Sequence, residues 1–252
     1  YTLTWVDSRR PKVTYASSFG VSEIPASQVK KTKEYLSRFN MISVREEQGA
    51  EIVEKLTRKK AEVCCDPTVL TDRKRWDELS GDCPFVSEKY IFCYFIGNNP
   101  SQREFAKKLA QKTGCKILAV KHIDEYIKSD DDFGDIDYLE VGPKEFVNFI
   151  RYATYVCTDS FHGTIFSIMY NKNFFTFMRF SDSQKSSMNS RVKNILSIVG
   201  LSNRLFENSI TPEAALAYQV DWSDVNKRLN DFRKSSREYF ERAIICLKGT
   251  QE

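Results

Sequence analysis

The chain has 252 residues, 41% of them apolar and 13% aromatic, which is enough for a packed core and argues against disorder. Its 38 basic and 34 acidic residues leave a net charge of +4, too near balance for a nucleic-acid footprint. No apolar run reaches the length of a membrane span, no signal peptide is visible, and seven cysteines without CxxC spacing read as reduced, buried thiols of a cytoplasmic protein. With only His122 and His162 and no HExxH, a histidine-rich metal site is excluded and no metal is expected.

In chain order, residues 1–11 read as a polar tail. Lys12 to Ser17 is a short strand, and Ser27 is placed to cap a helix running to about Phe39, with Val29, Leu36 and Phe39 inward. Met41 to Val44 is a second strand. Arg45-Glu46-Glu47 follows it, then a helix with Ile52, Val53 and Leu56 inside. Glu62 to Cys65 is a third strand, closed by Asp66-Pro67. Three strands are too few for a complete sheet, so this part reads as the later portion of an α/β domain whose opening strands are missing. Thr71 to Ser87 is polar and reads as a linker.

A second unit follows. Tyr90 to Ile96 is a buried strand, and Ser101 with Glu104 forms a capping box for a helix to about Lys112. Cys115 to Val120 and Ile136 to Val141 are strands. The acidic loop between them, Ser129 to Asp135, reads as solvated, because a calcium-loop register puts Ser129 and Phe133 at ligand positions. Gly142-Pro143 opens a helix with Phe146, Phe149 and Ile150 inward. A strand at 154–158, a helix from His162 to Asn171 and a strand from Phe174 to Met178 complete the alternation. That pattern predicts parallel, Rossmann-like sheets covered on both faces. Phe180 to Asn189 is a polar loop. Ser190 is placed to cap a helix that Gly200 stops. From Asp221 onward Trp222, Val225, Leu229, Phe232, Phe240 and Leu247 recur at helical spacing as one long amphipathic helix that packs across a domain surface. The divisions expected are 1–87, the later part of an N-terminal α/β domain plus linker; 88–205, a Rossmann-like donor-binding domain; and 206–252, a helical segment across the domains.

The chemistry-bearing stretch runs from Tyr155 to Phe166. It reads as strand, tight turn and helix, the place where parallel sheets collect ligands. Asp159 and Ser160 punctuate it, Gly163 lets backbone come close to a ligand, and the amides from Gly163 and Thr164 onward can hold an anion. His162 brings a side chain that titrates near neutrality, with Asp159 either orienting it or capping the turn. The bland alternative is a core histidine in an ordinary turn. GxSxG, Walker and GxGxxG motifs are missing. Arg45 directly after a strand, and Asn189 with Arg191 at a helix start, add two guanidinium forks for carboxylate or phosphate. Their bland alternative is a surface ion pair with Glu46, Glu47 or Glu145.

Ile42-Ser-Val-Arg-Glu-Glu47, Val63-Cys-Cys-Asp-Pro-Thr-Val-Leu70, Val141-Gly-Pro-Lys-Glu-Phe146 and Thr158-Asp-Ser-Phe-His-Gly-Thr-Ile-Phe166 resemble successive blocks of the polysaccharide pyruvyl transferase family. Tyr15-Ala-Ser-Ser-Phe-Gly-Val21 fits an earlier block and Met188-Asn-Ser-Arg191 a later one, so the resemblance covers about residues 12–205. It implies a two-domain fold like the B-type glycosyltransferases, with an incomplete N-terminal domain here. It further implies phosphoenolpyruvate as donor substrate with no other cofactor, and a ketal formed on a sugar or lipid-linked glycan acceptor. His162 and Asp159 are the catalytic candidates. Arg45, Ser160, Gly163, Thr164, Asn189 and Arg191 are the donor-binding ones. Arg45 matches the family's arginine after the Ser-Val strand, and His162 the histidine of its Arg-Leu-His triplet. Ser160 stands where the triplet has arginine, and Arg191 or Arg179 is placed to supply that charge. The implied location is the cytoplasm, peripheral to the inner membrane face through the acceptor. The oligomeric state stays open. A nucleotide-sugar glycosyltransferase and a non-catalytic glycan-binding module are the alternatives.

Overall fold

The computed structural model describes residues 2–121, 126–138, 140–179, 189–206 and 210–249. His122 and most of the polar 180–189 loop, including Met188, lie outside the described residues. The chain forms two compact units. One is drawn from Tyr1–Leu70, Phe180–Ile198 and Lys227–Glu252, the other from Thr71–Arg179 and Val199–Asn226.

In the first unit, α1 (Val29–Ser37) is preceded by a 3-10 turn at Ala26–Gln28 and has no side-chain cap, so Ser27 does not take that role. Phe39 is buried and Leu36 packs beside it, but Val29 is exposed. β1 (Ser43–Val44) leads to α2 (Glu47–Thr57), which buries Ile52 and Val53 against Val44 and Phe39. β2 (Glu62–Val63) pairs in parallel with β1, and the single turn α3 (Pro67–Leu70) follows. The expected strand at Lys12 to Ser17 is reduced to two parallel bridges, Val13 to Met41 and Ser17 to Val44.

Residues 71–87 do not form a linker. They fold as α4 (Arg73–Ser80), and Trp76 sets its ring edge-on to Phe166 at 5.0 Å while Asp77 accepts from the Tyr170 hydroxyl at 3.0 Å. β3 (Tyr90–Tyr94) is buried almost throughout. α5 (Pro100–Thr113) starts two residues earlier than a Ser101–Glu104 box would place it. Asn99 is its cap, accepting from the Ser101 amide at 3.0 Å, and Pro100 fills the first helical position, where a missing N–H does no harm. β4 (Lys116–Val120) and β5 (Ile136–Tyr138) flank the acidic loop. That loop is anchored rather than solvated. Asp130 is buried against the Arg103 guanidinium at 2.5 Å, and Asp135 accepts from the Ile117 amide at 2.7 Å.

α6 (Pro143–Tyr152) carries a true reciprocal cap, with the Gly142 amide donating to Glu145 at 3.1 Å. β6 (Tyr155–Thr158), α7 (Phe161–Met169) and β7 (Asn173–Phe177) follow as the alternation predicts. α8 (Asn189–Ile198) belongs to the first unit, and Ser190 lies inside its first turn rather than at its cap. A sixth strand, β8 (Leu205–Phe206), then pairs with β7, so residues from 206 on are not a purely helical segment. α9 (Pro212–Ala217) and α10 (Trp222–Lys248) close the chain. The buried residues of α10 are Val225, Leu229, Ser236, Tyr239 and Ala243, while Phe240 and Leu247 are exposed.

The six strands of the second unit are all parallel, in the order β5-β4-β3-β6-β7-β8. Taken from β3 outward this is the doubly wound order, whose direction reverses between β3 and β6. The site therefore lies where the loops after β3 and β6 leave the sheet.

Candidate functional site

At the switch point of the second unit, Asp159 sits just past β6 with its side chain buried. Its two carboxylate oxygens accept the Ile96 amide at 2.7 Å and the Gly97 amide at 2.8 Å, across to the loop after β3. Arg179, at the end of β7, donates to the Asp159 carbonyl at 3.2 Å and brings its charge within 3.8 Å of the carboxylate. Gly97 is required by this crowding. A Cβ there would lie 2.8 Å from the Asp159 carboxylate and 3.1 Å from Arg179 Cγ. Burial pushes the nearby Tyr94 phenol up, with Arg179 opposing and Asp159 adding to the shift.

The start of α7 is equally full. Ser160 is its cap. Its hydroxyl accepts from the Gly163 amide at 3.3 Å, and its carbonyl accepts from the Thr164 amide at 3.0 Å and the Thr164 hydroxyl at 2.9 Å. The two amides expected to hold an anion are thus engaged within the turn. Gly163 serves packing, not ligand approach. A Cβ there would fall 2.6 Å from Thr158 Oγ1, which is itself fixed by donating to the Tyr94 carbonyl at 2.6 Å. Thr164 is wholly buried, its hydroxyl 3.0 Å from that of Thr176. His162 is exposed on the second helical position, its ring edge-on to Phe161, so it is not a core histidine. The serine in place of the family's arginine has a local reason, since an N-cap needs a short side-chain acceptor.

The first unit gathers the other candidates. Arg45 leaves β1 and pairs with the buried Asp66, which follows β2, at 3.0 Å. This is an ion pair, but a strand-end one with Asp66, not a surface pair with Glu47 or Glu145. The Arg45 carbonyl accepts from Asn194 of α8 at 3.1 Å. Next to it Glu46 is buried, receiving the Ser18 hydroxyl at 2.9 Å. Burial pushes the Glu46 carboxyl up, while Ser18, the Arg191 and Arg45 guanidiniums and the Phe19 amide draw it back. Arg45 and Arg191 therefore converge on one carboxylate, as two cations beside two acids. Asn189 is buried at the first residue of α8. The sequence left Asp66 and Asn194 out. Asp66 was findable as a residue directly after a strand, whereas Asn194 carries no such signal.

Among the described residues no group of three or more His, Cys, Asp or Glu side chains could hold a metal ion, and no helix is long and apolar enough to cross a membrane. All seven cysteines are free thiols. Five are buried, but Cys83 is exposed and Cys246 half-buried.

Parallel sheets, the doubly wound order and strand-end side chains define an α/β protein of the Rossmann-like class, whose structural neighbours are B-type glycosyltransferases and epimerases. The sequence matches the polysaccharide pyruvyl transferase family over residues 1–179, and the chain belongs to that family. No curated protein matches it. Among solved structures, it is similar to a protein described as a UDP-N-acetylglucosamine 2-epimerase from Listeria monocytogenes, with a TM-score of 0.50 and 10% identity over 86% of this chain and 60% of that one. The UDP-GlcNAc 2-epimerase of Neisseria meningitidis aligns with a TM-score of 0.48 and 9% identity over 90% of this chain and 70% of that one. The wall teichoic acid polymerase TagF gives 0.47 and 12% over 92% and 64%. The chain thus spans less than two thirds of the length of the first and last of these structures.

Proposed function

We propose that the protein transfers a pyruvyl group from phosphoenolpyruvate to a sugar of a surface polysaccharide or glycan, forming a ketal. The family match over residues 1–179 carries this reading, because Arg45 and His162 both fall within it at the family's donor-binding positions. Arg45 and Arg191 are the forks for the donor's carboxylate and phosphate. Arg179 supplies a cation at the β6–α7 turn, where Ser160 caps the helix. Since the Gly163 and Thr164 amides are engaged, side chains rather than those amides take the phosphate.

His162 donates a proton to the methylene carbon of the enol, which becomes a methyl group and leaves an oxocarbenium-like centre on the adjacent carbon. One sugar hydroxyl adds to that carbon and loses its proton, and phosphate departs. A second hydroxyl adds and loses its proton to close the ketal. Acid–base help of this kind contributes about 10²–10⁴ in rate. Asp159 is a positioning residue, holding the loop after β3 and Arg179 in place. The reaction would run in the cytoplasm, on an acceptor that is lipid-linked at the inner membrane face.

The test is phosphate release from phosphoenolpyruvate with a glycan acceptor, alongside melting with each ligand. A donor that binds only the folded state adds about 2.7 kcal/mol at a hundredfold excess over its Kd. The expected melting shift is lost in Arg45→Ala, and the turnover in His162→Ala. Because Arg45→Ala strands the buried Asp66, the double variant with Asp66→Asn carries the same test on a better-balanced background. Full turnover in His162→Ala overturns its role. A shift with uridine nucleotides alone favours a glycosyltransferase, and glycan binding without phosphate release favours a binding module.

A further inference from the structure

Beside the switch point, the loop after β3 and the segment preceding the acidic loop enclose a hollow of about 450 Å³, within the range of small-molecule sites. Asn98, Pro100, Tyr126, Ile127, Lys128 and Ser129 line it. Tyr126 is 75% exposed, unusual for so large a ring, yet it does not swing freely, because its hydroxyl donates to the Asp131 carboxylate. That carboxylate also raises the Tyr126 phenol, which keeps it a donor. Among the described residues the Ser129 hydroxyl oxygen is buried without a hydrogen-bond partner. A buried hydroxyl left unpaired costs free energy that a ligand's polar group would recover.

We infer that this hollow is a sugar-binding subsite, with the tethered Tyr126 ring as its stacking platform. A pyranose offers an apolar C–H face for the ring and for Pro100 and Ile127. Its hydroxyls meet the Asn98 amide, the Lys128 ammonium and the Ser129 hydroxyl. A nucleotide fits less well, since its phosphates would call on the Ile96 and Gly97 amides that Asp159 already occupies. The hollow adjoins the reacting turn through a short chain. Asn98 follows Gly97, Gly97 is bound by Asp159, and Asp159 precedes the Ser160 cap of the helix that carries His162. That the sugar is the acceptor of the transfer rests on the pyruvyl transferase reading; that a sugar binds does not.

The test is saturation-transfer NMR on the whole protein with the methyl glycosides of glucose, galactose, mannose, N-acetylglucosamine and N-acetylmannosamine, and with uridine monophosphate. At least one glycoside is expected to respond. In Tyr126→Ala its affinity falls by about three- to tenfold, the weight of an aromatic contact. Ser129→Ala gives a smaller loss. Both positions are at the surface loop, and unchanged melting curves verify the fold. Equal response in wild type and Tyr126→Ala, response to the nucleotide alone, or none to any glycoside overturns the subsite. The melting shift with phosphoenolpyruvate is followed in the same samples. Its retention in Tyr126→Ala is expected, and its absence from the wild type beside a Tyr126-dependent sugar signal would remove the acceptor role and leave the sugar subsite standing.

Discussion

Replacing Gly163 by alanine separates two reasons for a glycine at the start of α7. If glycine is there for a ligand, alanine should leave the apo protein intact or stabilise it, since alanine in a helix is better than glycine by about 0.5–1 kcal/mol. The packing says otherwise. The new methyl would sit 2.6 Å from Thr158 Oγ1 and 3.1 Å from both Thr158 Cβ and Cγ2. Thr158 has nowhere to retreat, because it is fully buried and its hydroxyl both donates to Tyr94 and accepts from the Ser160 amide at 3.0 Å. Overpacking of this kind costs about 1–3 kcal/mol. After the helix gain is subtracted, Gly163→Ala is destabilised by about 1–2 kcal/mol, or about 2–8 °C in melting temperature for a chain of this size. Urea titration and thermal melts of the apo protein read this directly. A variant as stable as the wild type refutes the packing argument, and loss of phosphoenolpyruvate binding with stability intact would return the glycine to the ligand.

Asp159→Ala strands the Ile96 and Gly97 amides and lowers stability by about 2–4 kcal/mol, whereas Asp159→Asn keeps one acceptor and loses about half as much. Hydrogen exchange at those two amides should accelerate in proportion, and unchanged protection would show that the carboxylate is not holding the loop. Ser160→Arg, which installs the family's arginine, is expected to cost about 1 kcal/mol because it removes the α7 cap, and Ser160→Ala to cost the same; an arginine variant of wild-type stability contradicts this. Glu46, with its carboxyl pushed up by burial, contributes stability that is complete below the ordinary glutamate range and is lost as pH rises through its raised value. Glu46→Gln should therefore gain on the wild type between mildly acidic and neutral pH in urea midpoints, and a difference independent of pH would refute it.

The second unit was legible where side chains announce themselves. The run Tyr155 to Phe166 is apolar, then punctuated, then apolar again, and it folds as strand, turn and helix. β8 was invisible because two residues carry no period, and its pairing comes from β7. α4 was taken for a linker because its inward anchor is a single tryptophan in a polar stretch. α10 was read with the wrong face. Its seam includes Ser236, whose hydroxyl accepts the Cys65 amide at 2.9 Å, and Tyr239, which donates to the Thr14 carbonyl at 2.8 Å. Hydrophobicity alone favours Phe240 and Leu247 over these hydrogen-bonding residues. Within the site, the arginines were visible as strand-end cations, but their acids were not, because Asp66 reaches Arg45 only through the pairing of β1 with β2. Gly163 was assigned to the right turn for the wrong reason, since what crowds it is the side chain of the preceding strand.

The carboxylate of Asp159 has a consequence for ligand choice. In a doubly wound sheet the crevice beyond the strand ends has a floor of backbone amides and a rim of side chains. Here the protein's own anion is laid on the floor, bridging the two loops that border it. What is left for a guest is the rim, with exposed His162 on one side and Arg179 on the other. A long diphosphate gains its affinity by running along the floor, whereas a compact donor needs only to be gripped at its edge. The fold thus keeps the outline of a nucleotide holder while its seat is taken, which narrows the choice of guest to small, highly charged molecules.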